Sequence, residues 1–429
     1  MARFIYDISR LSTRVLNAAP NGIDWIDSLL ADHFLEQRKA DTSTLLFGLR
    51  GPRLFAPDDL PNPARVLDEA WGRIPSHGPV DVPDELVSAL VRPPGAGAPT
   101  ARVQLAPTGR TMRVAGALAR YGLARGDDPR RAAPQGAVYV NAAHYPLEFD
   151  RHVAWFDDRP DVRPVFFVHD LLPLREPKWF WSREPERHAR RLALLARRGA
   201  GAIVTSREAA TDLAAYMRKL GRSDLPILQA HPPVAPLFGA PTRIDPRLED
   251  CAYFLVCGTI EPRKNHAALV DVWRRLFAAR GSATPKLLIV GKRGWNCAGI
   301  VAAIEDPALG GSVVEANGVS TAAYRALLGG ARALLAPSLA EGYGLPLAEA
   351  LAAGTPAVAS DIAPFREIGG DRPLYIDPGN REGWLAAVEA LSSRGHSTLP
   401  STAYGASDHQ PVDGSAYAEA VDRFLAQFG

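Results

Sequence analysis

The chain has 429 residues, 47% of them hydrophobic and 22% charged, which is long enough for two domains and apolar enough to build a core in each. Its 49 basic and 47 acidic residues nearly cancel, so its charge gives no reason to expect a nucleic-acid partner. The three cysteines lack metal-ligand spacing, and there is neither an apolar run of about 18 residues nor a signal-peptide pattern. These features predict a reduced cytoplasmic protein that is soluble or at most peripheral on a membrane.

The N-terminal segment predicts a strand followed by a helix. Residues 3–7, RFIYD, have a strand pattern, and apolar residues at helical spacing follow between residues 23 and 34. Gly22 precedes that helix and would let a phosphate or a sugar approach the backbone. The residues alone favour an ordinary turn at this position. There is no G-x-G-x-x-G sequence, so the dinucleotide fingerprint is absent.

The region between residues 51 and 135 carries the weakest signals. Leu45–Arg50, LLFGLR, predicts a strand just before it. Residues 91–110, VRPPGAGAPTARVQLAPTGR, are rich in proline, glycine and alanine, and they predict a long surface loop.

Two buried strands are expected at residues 137–143 and 165–168. His169 and Asp170 directly follow the second strand. Since ligands of parallel sheets bind outside the carboxyl ends of strands, His169 could hydrogen-bond a sugar hydroxyl there. The alternative is a histidine that only caps the strand.

The segment 177–198 begins with Trp179, Phe180 and Trp181 and continues with many arginines. Two interpretations stay open. The segment could lie on an anionic membrane or hold a lipid-phosphate acceptor. Alternatively, its aromatic residues enter the core and its arginines form a solvated face. Further on, residues 231–241 contain four prolines and predict the interdomain linker.

The second half alternates strand and helix patterns, which predicts a parallel, doubly wound sheet. Its first loop, GTIEPRKN, places Arg263 and Lys264 between a strand and the next helix. Fixed cations at such a place could stabilise the negative charge that develops on a departing diphosphate. A solvated basic turn is the alternative.

The stretch 337–361, PSLAEGYGLPLAEALAAGTPAVASD, carries two carboxylates, Glu341 and Glu349. Gly344 and Leu345 lie between them, where a helix is expected to begin, and free backbone N–H groups there form an anion site. A phosphate flanked by two carboxylates that accept hydrogen bonds from hydroxyls describes a nucleotide sugar. A well-capped helix after a turn is the alternative.

The segment from Glu341 to Glu349, with PS before it and EALAAGTPAVAS after it, resembles the E-x7-E segment of retaining family 4 glycosyltransferases of the GT-B fold. The similarity is specific from about residue 165 to residue 377. It implies an α/β protein with two Rossmann-like, doubly wound parallel-sheet domains that face a cleft. The expected boundaries are residues 1–236 and 237–413, with a terminal helix over residues 414–429 that crosses back to the first domain.

The resemblance also implies roles for individual residues. Glu341 would bind sugar hydroxyls, Glu349 the ribose, and Arg263 with Lys264 the diphosphate. Many relatives have arginine directly after the first strand's glycine, where this chain has threonine, so Arg263 and Lys264 would share that work. Other expected contacts are His169 near the donor sugar, Lys292 at a phosphate, Asn317 near the nucleobase, and Gly22, Gly258, Thr259, Gly344 and Leu345 along the donor site.

The function that the resemblance implies is retaining transfer of a hexose from a nucleoside-diphosphate sugar to a glycan or lipid-linked acceptor. Sequence around EPRKN and GKRGW favours mannose or rhamnose and bacterial surface polysaccharides such as O-antigen. The chain lacks a DxD metal motif around the second domain's loops, so no metal and no cofactor are expected. The alternatives are a phosphorylase or a nucleotide-sugar epimerase of the same fold, or a binder without catalysis.

Overall fold

The computed structural model describes residues 3–14, 22–48, 51–71, 82–105, 121, 125–392 and 412–429. Within these residues the strands form two seven-stranded sheets. In chain order, the strands are β1 (Phe4–Asp7), β2 (Thr42–Gly48), β3 (Gly51–Phe55), β4 (Ala101–Gln104), β5 (Val138–Asn141), β6 (Arg163–Val168), β7 (Gly201–Val204), β8 (Ile227–Gln229), β9 (Tyr253–Cys257), β10 (Lys286–Val290), β11 (Val313–Asn317), β12 (Leu334–Ala336), β13 (Ala357–Ser360) and β14 (Leu374–Ile376).

Helices cover the sheets, and short ones connect the strands to the longer ones. In chain order, the helices are α1 (Ser9–Arg14), α2 (Gly22–Asp32), α3 (Pro63–Trp71), α4 (Asp84–Val91), α5 (Pro129–Ala132), α6 (Asp150–Val153), α7 (Trp155–Asp158), α8 (Leu172–Arg175), α9 (Glu184–Arg198), α10 (Arg207–Lys219), α11 (Pro236–Gly239), α12 (His266–Arg280), α13 (Ala298–Ile304), α14 (Thr321–Gly330), α15 (Leu345–Ala352), α16 (Ala363–Gly369), α17 (Arg381–Ser392) and α18 (Gly414–Leu425). Among these helices, none combines the length and the apolar character needed to cross a membrane.

The first sheet has the strand order β3-β2-β1-β5-β6-β7-β8. All its neighbouring pairs are parallel except β2 with β3, which form an antiparallel pair at the edge. Its central strands are buried on both faces, as their nearly continuous apolar sequences require. The carboxyl ends of β1, β5, β6 and β7 therefore meet at one edge of this sheet.

The second sheet has the order β14-β13-β12-β9-β10-β11-β4, and all its pairs are parallel. Residues 101–104, at its outer edge, come from the first half of the chain. The predicted surface loop over residues 91–110 was therefore wrong at this strand, and residues 106–110 lie outside the described part. The strand forms because its backbone pairs with β11, and Leu105 N continues the pairing by donating to Asn317 O at 2.9 Å. Sequence alone could not show that pairing.

The C-terminal helix α18 returns to the first domain, as expected. Asp422 accepts hydrogen bonds from His33 Nε2 at 2.9 Å and from Arg38 Nη1 at 2.8 Å. The rings of Phe424 and Phe428 pack so closely on Gly201 that a Cβ there would lie 2.8 Å from Phe428. The two parallel-dominated sheets and this returning helix confirm the α/β architecture that the resemblance implies.

One buried carboxylate joins the two domains away from the cleft centre. Glu367 of α16, whose side chain is 6% exposed, accepts from the backbone N of Arg207 with both oxygens at 3.0 Å. Gln229 Nε2 and His231 Nε2 lie 2.8 and 2.7 Å from Glu367 Oε1. The carboxylate therefore caps α10 of the first domain from the second domain, where the helix dipole favours negative charge.

We expect Glu367→Ala to loosen this contact. Loss of an N-cap costs about 0.5–2 kcal/mol, so the Arg207 amide should exchange its hydrogen roughly two- to thirtyfold faster. Hydrogen exchange read by mass spectrometry over residues 205–212 measures the effect. Glu382→Ala removes a glutamate whose side chain is 75% exposed and serves as the control. Equal exchange in both variants would show that Glu367 does not hold the domains together.

Candidate functional site

The loop after β9 carries the predicted cations. A 3₁₀ turn, Pro262–Lys264, follows β9 and carries Arg263 and Lys264. Asn265 then adopts the left-handed conformation, with φ of 56°, and starts α12. Its amide Nδ2 donates to Pro337 O at 3.0 Å, which ties this loop to the one after β12. The two segments singled out in the sequence are thus held together.

Glu341 lies at the centre of the site. Its carboxylate accepts from Arg263 Nη1 at 2.6 Å, from Lys264 Nζ at 2.5 Å and from Ser338 Oγ at 2.6 Å. Burial alone would raise the pKa of Glu341, but Lys264 and Arg263 outweigh it and lower the pKa to about 2. The carboxylate is therefore ionised at any physiological pH and orients both cations.

The two cations differ in what they can still bind. Arg263 donates to Glu341, to Ala340 O at 2.8 Å and to Glu261 Oε1 at 2.7 Å, so its planar fork is held on the protein. An ammonium has three donors, and one of those of Lys264 goes to Glu341. Lys264 is thus the better candidate for direct contact with a ligand anion, and Arg263 for positioning Glu341.

Glycines let the surrounding loops approach closely. Gly258 has φ of 148°, and a Cβ there would lie 3.3 Å from the side chain of Lys264. Thr259 follows and packs against Gly294, where a Cβ would come within 2.5 Å of the threonine methyl. A larger residue at position 258 would therefore push the side chain of Lys264 away from the backbone of Gly258.

The start of α15 faces both domains. Gly344 is its N-cap, with φ of 115°, and a Cβ there would lie 2.5 Å from the ring of Phe365. The next residue, Leu345, reaches across to the first domain, where a Cβ on Gly22 would be 3.7 Å from its side chain. The structure therefore places Gly22 beside the N-terminus of α15, and its role in donor binding stays a prediction.

On the first-domain side, His169 is 6% exposed and its Nε2 lies 2.8 Å from Ala142 O. Because a carbonyl only accepts, Nε2 carries the proton and Nδ1 is an acceptor. Burial lowers the pKa of His169 to about 4, so the ring is neutral. A Cβ on Gly342 would lie 2.8 Å from Asp170 Oδ2, so His169 and Asp170 meet the second domain directly beside Glu341.

Two further histidines, His144 and His188, lie behind His169. Ring centroids are 4.9 Å apart for His144 and His169 and 5.7 Å apart for His144 and His188. Burial lowers the pKa of all three, and that of His188 to about 4. In the described part of the chain, no group of histidine, cysteine, aspartate and glutamate side chains could hold a metal ion.

Glu349 is half-buried one turn into α15, on the face towards Tyr324 and Cys257. Burial raises its pKa to about 8, although the Tyr324 hydroxyl favours the ionised form. At neutral pH this carboxyl is therefore mostly protonated, in contrast to Glu341. The two glutamates of the motif have opposite charge states because only Glu341 has cations beside it.

The remaining predicted residues lie farther along the same sheet edge. The side chain of Lys292 is exposed, and its carbonyl accepts from Ile260 N at 2.9 Å. Asn317 ends β11 and stands in register with Gln104 of β4. Neither Lys292 nor Asn317 is bonded to Glu341, and the roles of both residues stay predictions.

Sequence reasoning missed several participants. Ser338 belongs to the quoted motif, but nothing in it signals a bond to Glu341. Arg10, whose Nε donates to buried Asp24 at 2.9 Å, bears electrostatically on His169 from α1. Its isolated position in the sequence gave no signal. A pocket between β9, β12 and α15 is lined by Lys264, Ser338, Glu341, Gly344 and Pro346, among others.

Parts of the chain are similar to known proteins. Residues 252–394 match the family model described as glycosyl transferases group 1. These residues form a group 1 glycosyltransferase domain. The chain is similar to the serotype-specific mannosyltransferase WbdA of Escherichia coli, at 29% identity over 245 residues. That match covers 52% of this chain and 30% of WbdA.

A second relative is the O-antigen chain mannosyltransferase B of Escherichia coli, 32% identical over 141 residues, 33% of this chain and 35% of that protein. The matches thus span about a third of the length of these curated relatives. Among solved structures, Anabaena HepE, crystallised with UDP and glucose, superposes with a TM-score of 0.58 at 14% identity. The match covers 99% of this chain and all of that one, and it shows the GT-B fold.

Stability should depend on pH through Glu349. The pKa of Glu349 in the folded protein is about 8, above the usual 4.5. Between these two pH values the folded protein keeps a proton that the unfolded chain releases. Its contribution is fully present below about pH 4.5 and is lost as the pH rises through about 8. We expect Glu349→Gln to reduce the fall in unfolding free energy between pH 5 and 8 by roughly 2–4 kcal/mol.

Urea denaturation at pH 5, 6, 7 and 8 measures that difference. The exposed Glu419 lies on α18, and Glu419→Gln should leave the wild-type pH dependence intact. If Glu349→Gln and Glu419→Gln behave alike, Glu349 does not carry the buried proton.

Proposed function

We propose that the protein is a retaining hexosyltransferase that moves a sugar, with mannose favoured, from a nucleoside-diphosphate donor to a glycan or lipid-linked acceptor. The observation that carries the proposal is the cluster of Lys264, Arg263 and Glu341 beside the N-terminus of α15. It combines a fixed cation, a helix N-terminus and an ionised carboxylate at the carboxyl edge of a parallel sheet.

The diphosphate would lie against Lys264 and the first backbone N–H groups of α15. Negative charge develops on the leaving diphosphate as the sugar departs, and donors already oriented by Glu341 stabilise it without reorganisation. Because side chains supply this positive charge, we propose that the reaction needs no metal and that the protein has no cofactor.

The transferred sugar would lie between the two domains, where Gly22 and Leu345 meet. The acceptor atom Nδ1 of His169 is suited to a sugar hydroxyl, and the neutral ring avoids repulsion from the forming positive charge on the sugar. Glu341 is close to the same place and presents negative charge to it. The sugar position is thus flanked by acceptors from both domains.

Glu349 would bind the ribose from inside α15. Ribose hydroxyls donate better to a carboxylate than to a carboxylic acid, so nucleotide binding should favour the ionised form of Glu349. Binding near neutral pH would then release a proton. The mannosyltransferase relatives support mannose and a bacterial surface polysaccharide such as O-antigen as the setting. A cytoplasmic location, with or without a peripheral membrane contact, is part of this proposal.

The test is a transfer assay with the purified chain, in which GDP-mannose, dTDP-rhamnose and UDP-glucose are each offered with manno-oligosaccharides. We expect one donor to give an elongated oligosaccharide with retained anomeric configuration, at the same rate with and without a chelator. Lys264→Ala should lower kcat by about 10²–10³-fold, as for loss of one donor to a developing charge.

Lys219→Ala, at the exposed end of α10, is the matched control and should keep the wild-type rate. Wild-type kcat in Lys264→Ala would remove this residue from the reaction. Isomerised donor, or transfer to inorganic phosphate, would instead identify an epimerase or a phosphorylase. Full loss of activity in the chelator, restored by magnesium, would contradict the proposed charge stabilisation.

A further inference from the structure

Two exposed aromatic side chains share one arginine at the rim of the first domain. Phe149 is 36% exposed and Trp181 is 38% exposed. The guanidinium carbon of Arg187 lies 5.8 Å from the ring centroid of Phe149 and 5.2 Å from that of Trp181. The guanidinium carbon of Arg151 lies 6.0 Å from the ring centroid of Phe149. We call Phe149, Trp181, Arg187 and Arg151 the aromatic platform.

The platform is fixed from below by a buried carboxylate. Glu148 is 5% exposed and accepts a short hydrogen bond from Arg187 and another from Arg191 Nη2 at 3.0 Å. Burial would raise the pKa of Glu148, but the bonds from Arg191 and Arg187 lower it, so the carboxylate stays ionised. Glu148 holds the guanidinium of Arg187 in place. The contacts of Arg187 with the rings of Phe149 and Trp181 are therefore formed before any ligand binds.

The platform lies on the cleft side of the first sheet. Phe149 belongs to the loop after β5 and Trp181 to the segment after β6, which is the same edge that carries His169. Immediately before Trp181, Trp179 O accepts from Trp295 Nε1 of the second domain at 2.7 Å. Phe180 stacks on Trp295 at 6.3 Å. The platform thus adjoins the place where the two domains touch.

Most basic side chains around the platform are ion-paired, and this pairing decides between the possible occupants. Arg190 pairs with Glu186 and Arg191 with Glu184, each at 2.7 Å. Lys178 pairs with Glu176 at 3.1 Å. Four of the six arginines in residues 177–198 are ion-paired, because Arg187 also pairs with Glu148 and Arg198 with Asp157. An anionic membrane is attracted by unpaired basic groups in excess. A neutral ligand fits better.

Sugar rings match what the platform presents. A flat, exposed aromatic face packs against the apolar C–H face of a pyranose, and guanidinium N–H groups donate to its hydroxyls. We propose that the aromatic platform binds a carbohydrate chain, namely the part of a glycan acceptor that lies several sugars from the end being extended. This inference rests on the proposed function, because it names the acceptor of the same reaction.

Affinity electrophoresis of the full chain tests the proposal without requiring catalysis. The protein is run through native gels that contain mannan or dextran, and separately it is sedimented with phosphatidylglycerol vesicles. We expect mannan to retard the wild type, and Trp181→Ala and Phe149→Ala each to bind it about three- to tenfold more weakly, as loss of one stacking contact predicts. Leu220→Ala, at a 43% exposed apolar residue elsewhere, should match the wild type.

Since both aromatic residues are exposed, their variants should fold, and equal melting temperatures check this. Retardation by neither polysaccharide, or equal retardation of Trp181→Ala and wild type, would overturn the proposal. So would binding to the vesicles that depends on Trp181 while mannan has no effect. If mannan binds through the platform but no donor sugar is ever transferred, the platform stands and the proposed transfer reaction fails.

Discussion

The ion cluster around Glu341 is the interaction on which the rest of the site depends. One carboxylate, ionised because its pKa is about 2, holds Lys264 and Arg263 at the mouth of the cleft. Removing such a buried partner would leave Lys264 without this ion pair, while Arg263 would keep Glu261, and breaking a buried pair typically costs about 3–5 kcal/mol. Glu341 therefore supports the local structure as well as the chemistry, whereas the motif by itself suggests only contact with sugar hydroxyls.

Close approaches between the domains place the other groups around this cluster. Gly342 lies so close to His169 and Asp170 that a side chain there would crowd the cleft, and Gly22 lies within van der Waals reach of Leu345. The buried carboxylate of Glu367 adds an anchor farther out, by capping a first-domain helix. In the proposed reaction, first-domain residues would thus complete the site around a donor bound to the second domain. Such closure would exclude water from the reacting sugar.

Local sequence predicted most of the fold, because apolar strands and amphipathic helices are local signals. It also predicted that Arg263 and Lys264 lie between β9 and the next helix. The turn before α15 could be predicted because Gly344 suits a helix N-cap and Pro346 suits the first turn of a helix. It failed where the structure depends on distant partners. Strand β4 has a composition that indicates a loop, and it forms by pairing with β11, which is more than 200 residues away in the chain. Likewise, the opposite charge states of Glu341 and Glu349 follow from neighbours that are far away in the chain.

A crystal structure of the protein with a bound nucleoside diphosphate, GDP or UDP, tests the central claim most directly. We expect phosphate oxygens within hydrogen-bond distance of Lys264 Nζ and of the first N–H groups of α15, with the ribose against Glu349. Glu341 should still hold Arg263. A nucleotide bound away from Lys264, or with its phosphates towards Glu349 and its base towards Glu341, would contradict the account.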